Sequence, residues 1–171
     1  MIRRLAIADR GMLLDFFEQH WGGPMMVTRG QITHADQVEG FVWEQAGEWL
    51  GLITFVMRAD DHGDGGCASC EVTSLDSMAE RRGIGSALLD AVIAEARLRS
   101  AARLWLITTN DNLHALRFYQ RRGWRLVALY PEAVSAARQI KPGIPLIGLD
   151  QIPIRDELEL AFELERNASR G

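Results

Sequence analysis

No run of this sequence approaches the roughly 18–20 uninterrupted apolar residues that a helical membrane span requires, and residues 1–10 lack the apolar core of a secretory signal. A cytoplasmic location, with no membrane partner, is the expectation. Cysteine is equally scarce. Cys67 and Cys70 form one CxxC spacing, but they head an expected strand, where residues three apart face opposite sides. No second pair accompanies them, and His62 and His114 have no ligand spacing, so no metal site is expected and the thiols read as reduced. Basic charge is not in excess: 19 Lys and Arg against 23 Asp and Glu leave a formal charge of −4, the wrong sign for a chain that neutralises many nucleic-acid phosphates. Internal repeats, low-complexity tracts and linkers are missing too, so 171 residues read as a single domain over residues 1–165, with a short tail at 166–171 expected to fray.

Against these absences stands a clear alternation of strand and helix patterns. Residues 2–6 read as a short first strand, and Asp9 is placed to cap a helix that Gly22, Gly23 and Pro24 stop. A short strand is expected at 25–28, followed by a polar connection. Residues 41–45 and 49–57 are β-branched and aromatic, and Ala46-Gly47-Glu48 between them predicts a hairpin. Another strand follows at 70–76. Ile84, Ala87, Leu88, Ala91 and Val92 recur at helical spacing over residues 83–99, a nearly continuous apolar run at 104–107 predicts a strand covered on both faces, and a second helix is expected at 111–122. Residues 124–130 return as a strand, and Pro131 suits the first position of a short helix through Ile140. The loop at 141–155 carries Ile144, Leu146, Ile147 and Ile152, too many apolar groups for a freely solvated connection, so its burial is expected. In the last strand Leu158, Leu160, Phe162 and Leu164 alternate with Glu157, Glu159, Glu163 and Glu165, which predicts an apolar face and a charged outer one.

The strongest local signal is Arg81-Arg82-Gly83-Ile84-Gly85-Ser86, where a strand gives way to a helix. Glycines let a backbone come close to a ligand, and the first-turn N–H groups of a helix, at its positive dipole end, suit a pyrophosphate. Taken alone, such a turn serves equally well to pack backbone against backbone. A second motif begins 27 residues after Gly85: Asn112-Leu113-His114-Ala115-Leu116-Arg117-Phe118-Tyr119, then Gly123-Trp124. Together the two resemble the GNAT superfamily of N-acetyltransferases, whose motifs run (Gln/Arg)-x-x-Gly-x-(Gly/Ala) and Asn-x-x-Ala-x-x-x-Tyr-x-x-x-Gly-(Phe/Trp). The second motif matches throughout; in the first, Glu80 stands where glutamine or arginine is usual. The backbone cradle survives that change, because N–H groups donate whatever the side chain.

The resemblance implies an α/β fold with a mixed, centrally splayed β-sheet flanked by helices, and acetyl-CoA as acyl donor. It implies that the amides of Arg82, Gly83, Ile84, Gly85 and Ser86 hold the pyrophosphate, with Arg81 and Arg82 adding charge. The main chain of Leu75, Asp76 and Ser77 would pair with the pantetheine arm, and Asn112 would bond further along it, as well as capping its own helix. Amine acylation needs a base for the amine and an acid for the departing thiolate. Tyr119 matches the family position of the acid. Glu71 is the candidate base, read as sharing a strand face with Thr73 and Leu75, with Asp76 on the other side; a salt-bridge partner is its competing role. His20, Trp21, Arg29 and His34 are candidate pocket-lining residues that surface exposure and packing explain as well. The expected acceptor is an amine, on a small molecule or a peptide, and a homodimer is compatible with the chain. An acyl-CoA-binding sensor without transfer is the alternative. A nucleotide site is disfavoured, because the Walker lysine followed by serine or threonine is missing.

Overall fold

The computed structural model describes residues 1–58, 68–78 and 82–164. Among these, nine strands and four α-helices occur in the order β1 (Ile2–Arg4), α1 (Arg10–Trp21), β2 (Met25–Thr28), β3 (Gln31–His34), β4 (Glu39–Gln45), β5 (Glu48–Arg58), β6 (Ser69–Ser77), α2 (Ile84–Leu98), β7 (Arg103–Thr109), α3 (Leu113–Gln120), β8 (Arg125–Tyr130), α4 (Ala133–Ile140) and β9 (Glu157–Glu163). Seven strands are ordered β1-β4-β5-β6-β7-β9-β8, and β2 pairs with β3 in a separate hairpin. This is a mixed α/β architecture with helices flanking a large sheet. The expected tail at 166–171, together with Glu80, Arg81 and Cys67, lies outside the described residues.

The chain forms two compact units, and β7 and β9 each pass from one to the other. The first comprises Met1–Leu5, Glu39–Trp105 and Phe162–Gly171. Here β1 pairs antiparallel with β4, β4 with β5, and β5 with β6. The β4–β5 hairpin turns on Ala46 and Gly47, both at positive φ, the geometry that matches the twist of the flanking strands. Val42, Leu52 and Phe55 are fully buried, and α2 contributes Ile84, Leu88, Leu89, Val92 and Ala96 to the core. Gly51 decides how closely α2 approaches: a Cβ there would stand 2.5 Å from Ile84 Cγ2 and 3.0 Å from Leu88 Cδ1. Only a glycine lets the first turn of α2 rest directly on β5. At the other end of α2, Arg99 donates to both oxygens of Glu39 at 2.6 Å and to Glu95, and Arg4 joins the same two carboxylates.

The second unit comprises Ala6–Val38 and Leu106–Ala161. Leu13, Phe16 and Phe17 of α1 are buried, as are Met26 and Val27 of β2 and Val134 and Ala137 of α4. Asp9 does not cap α1 as expected. Its backbone is already helical, and its Oδ2 accepts the Ala6 N–H at 2.7 Å, closing the preceding turn instead. Gly22, at φ 64°, ends α1, and Lys141 Nζ ties that end down through the carbonyls of Trp21 and Met25. Pro131 precedes α4 by two residues rather than opening it, since Glu132 is the N-cap.

Two further expectations are corrected here. The loop at 141–155 is held by polar bonds, and its apolar side chains are at most partly buried. Arg138 donates to the carbonyls of Ile144, Pro145 and Ile154; Asp111 accepts the Leu149 N–H; and Asn110 bonds Pro153, Arg155 and Asp156. Leu146 is 70% exposed and Ile147 and Leu149 about half exposed, while Ile144 and Ile152 are half-buried. The charged face of β9 is likewise not a solvated outer face. That strand lies between β7 and β8, and Glu157 and Glu159 are buried.

Candidate active site

The glycine turn becomes the start of α2. Gly83 is the N-cap, at φ 73°, a conformation that side-chain-bearing residues adopt only at a cost. Among the described residues no side chain caps this helix. A 15-residue helix thus begins with first-turn amides that have no intrahelical partner, at the positive end of its dipole. Among the described residues, its two chain neighbours aside, nothing stands within 4 Å of where a Gly83 Cβ would be. Arg82 is exposed and donates from Nη2 to Gln45 Oε1 at 3.0 Å, which keeps its guanidinium beside the turn. Ser77 lies opposite Gly51, against which Ile84 packs, so the strand end Leu75-Asp76-Ser77 and the cradle meet within one unit.

Glu71 is buried in β6, and Arg58 grips its Oε2 through Nε at 2.7 Å and Nη2 at 2.6 Å. The competing role foreseen for it is therefore present in the fold. Its expected face needs correcting. The pairing of β5 with β6 skips a residue: Thr54 lies opposite Ser74 and Phe55 opposite Val72, leaving Thr73 as a bulge. Thr54 Oγ1 joins the hydroxyls of both Thr73 and Ser74 at 2.7 Å. One inserted residue inverts the alternation, so Glu71 shares its face with Ser74 and Asp76, while Leu75 and Ser77 lie on the α2 side.

Asn112 and Tyr119 belong to the second unit. Asn112 is the N-cap of α3, its Oδ1 accepting the Ala115 N–H at 3.0 Å. Tyr119 is 6% exposed near the end of α3, its ring 5.1 Å from those of Phe118 and Trp124. Gly123, at φ 84°, makes the turn that returns Trp124 onto that ring, which gives the Gly-Trp pair of the second motif a physical reason.

The same unit holds a cluster that sequence reading missed. Glu157 and Glu159 share a face of β9 with Tyr130, which lies opposite Glu157 on β8. Glu159 Oε2 accepts the Tyr130 O–H at 2.6 Å and has Arg29 Nη1 at 3.6 Å; the Arg29 N–H donates to Glu157 Oε2 at 2.8 Å. Arg29 also lies over the Tyr130 ring, 4.9 Å from its centroid. Burial pushes the Glu157 carboxyl above the usual carboxylate range, and the Arg29 N–H and charge pull it partly back. An alternating glutamate series looks the same whether its strand is at a surface or inside a sheet. The usable signal was that Tyr130 is one of only two tyrosines and stands at a strand end.

Among the described residues no group of three or more His, Cys, Asp or Glu could hold a metal ion, and no helix is long and apolar enough to cross a membrane. Cys70 is buried, and its thiol is pushed up to about 12 by burial.

The fold is that of acetyltransferases. It superposes on an IAA acetyltransferase from Bacillus cereus ATCC 14579 with a TM-score of 0.67 at 20% identity, covering 96% of this chain and 99% of that one. A GNAT family acetyltransferase from Elizabethkingia anophelis with acetyl-CoA bound gives 0.68 at 18% identity, with 96% and 97% covered. Residues 10–124 match the acetyltransferase (GNAT) family model. The chain is also 45% identical over 157 residues to "Uncharacterized protein YxbD" of Bacillus subtilis (strain 168), covering 91% of this chain and 94% of that protein. This chain therefore belongs to the GNAT acetyltransferase family, as its two motifs suggest.

Proposed function

We propose that the protein is an N-acetyltransferase that moves the acetyl group of acetyl-CoA to the primary amine of a small-molecule or peptide acceptor, by direct attack in a ternary complex. The observation that carries this reading is the start of α2: a GNAT chain in which the helix begins at a left-handed glycine, with no side chain capping its amides among the described residues. Those donors suit the coenzyme's pyrophosphate. The main chain of Leu75, Asp76 and Ser77 and the amide of Asn112 take the pantetheine arm; the Asn112 cap uses Oδ1, and among the described residues Nδ2 has no partner.

In the reaction, Glu71 takes a proton from the acceptor's ammonium, directly or through a water. The neutral nitrogen attacks the thioester carbon, the carbon–sulfur bond breaks, and the Tyr119 O–H protonates the departing thiolate. The proton left on the new amide nitrogen returns to the tyrosinate through solvent. Arg58 supports the role of Glu71 by supplying a counter-charge to its carboxylate, although it also occupies Oε2. That occupation favours the second reading, an acyl-CoA-binding sensor without transfer. Turnover separates the two. An amine panel assayed by thiol release should yield an acceptor. With that acceptor, Tyr119→Phe should lower kcat about 100-fold with coenzyme affinity kept. Full turnover in both Tyr119→Phe and Glu71→Gln, with chemistry limiting the rate, would refute both roles.

A further inference from the structure

Glu157 is 3% exposed, yet among the described residues its carboxylate receives one hydrogen bond, from the Arg29 N–H to Oε2. Among the described residues Oε1 has no hydrogen-bond donor, and no cation comes within ion-pairing distance of the group. Its neighbour differs: Glu159 is served by Tyr130 and Arg29. Among the described residues Glu157 thus lacks the ion pair that Glu159 makes with Arg29. Oε1 is not fully enclosed, but a carboxylate on so deeply buried a residue still costs several kcal/mol unless a counter-charge is supplied. The Arg29 side chain is 40% exposed, so the cluster has one edge open to solvent.

We infer that this cluster is the acceptor's ammonium site, in which Glu157 Oε1 accepts an N–H from a protonated primary amine while Glu159, Tyr130 and Arg29 hold Glu157 in place. A single unserved carboxylate oxygen matches an ammonium donor. It does not match a divalent cation, which needs more ligands than the described residues offer. The inference deepens the acetyltransferase reading and rests on it, since it gives that reaction's amine a place to bind in its charged form.

The test uses n-butylammonium chloride as probe and n-butanol as its uncharged counterpart, titrated calorimetrically into coenzyme A-loaded protein. Butylammonium should bind wild type at least tenfold more tightly than butanol, and Glu157→Gln should remove that preference while leaving coenzyme A affinity unchanged. Equal binding of the two probes by wild type, or a preference that persists in E157Q, overturns the inference. If E157Q does not fold, wild type still decides: butylammonium methylene protons should show nuclear Overhauser contacts to the Tyr130 ring, assignable because the chain has only two tyrosines. Absence of those contacts counts against the site. Failure of wild type to bind coenzyme A at all would strike the acetyltransferase reading instead, and the probe titration repeated without coenzyme would still judge the ammonium site.

Discussion

Replacing Gly83 by alanine separates what this residue does for the fold from what it does for a ligand. At φ 73° an alanine pays the left-handed penalty of about 1–2 kcal/mol. The described residues add no steric cost, because none beyond its two chain neighbours stands within 4 Å of the new Cβ. For a chain of this length that penalty corresponds to a fall in Tm of about 2–8 °C. The methyl group would also occupy the space in front of the α2 amides, so coenzyme A should bind at least tenfold more weakly, about 1.4 kcal/mol. Gly83→Asn sharpens the test. Asparagine tolerates left-handed backbone, so much of the stability should return, while its larger side chain crowds the amides further and affinity should stay low. Thermal denaturation and calorimetry on the three proteins measure both quantities. Unchanged coenzyme affinity in both variants would refute the assignment of the pyrophosphate to this turn, and an unchanged Tm in Gly83→Ala would refute the strain argument.

The remaining predictions concern how that turn is seated and how the buried charges titrate. Gly51→Ala sets a Cβ 2.5 Å from Ile84 Cγ2, so it should cost about 1–3 kcal/mol of stability. Since Ile84 opens α2, coenzyme affinity should fall with it; a neutral effect on both would contradict the close helix–strand approach. The Arg99 and Arg4 guanidiniums hold the half-exposed Glu39 carboxyl below its ordinary 4.5, so its contribution is present above that pH and lost as pH falls through the lowered value. Glu39→Gln should therefore flatten the acid limb of the stability profile below pH 4.5, by no more than about 1 kcal/mol. Glu157 should behave in the opposite sense. Its carboxyl is raised above 4.5, so the folded state holds its proton more tightly than the unfolded chain and stability falls as pH rises through that window. With Glu159, Tyr130 and Arg29 left in place, Glu157→Gln should raise Tm at pH 8, and the gain should vanish below pH 4.5. A gain independent of pH would show that the carboxyl is not buried in its charged form.

Much of the fold was legible because its signals are local. The period of the α2 residues, the apolar run of β7 and the turn at Ala46-Gly47 each constrain the chain within a few residues. The β2–β3 hairpin is half legible: β2 has a strand pattern, but its turn is Arg29-Gly30, without the Asn-Gly or Asp-Gly that marks such turns, so β3 reads as a polar connection. The face of Glu71 was misjudged because alternation assumes an unbroken register, and the bulge at Thr73 depends on pairing with β5, which no stretch of β6 records by itself. Burial of Glu157 and Glu159 depends on β9 lying inside the sheet, a fact of strand order rather than of composition. Of the candidate site, the glycine turn and the Asn112 cap follow from backbone chemistry and were readable. The partners of Glu71 and Glu157, Arg58 and Arg29, lie 13 and 128 residues away and emerge only with the tertiary structure.

The most direct test compares coenzyme A with pantetheine, which has the same thiol arm but no diphosphate, by calorimetry on the wild-type protein. If the amides at the start of α2 grip the diphosphate, coenzyme A binds in the range of about 1 µM to 1 mM usual for enzyme substrates, and pantetheine binds at least 100-fold more weakly. Equal affinities for the two, or no affinity for coenzyme A in well-folded protein, would contradict it.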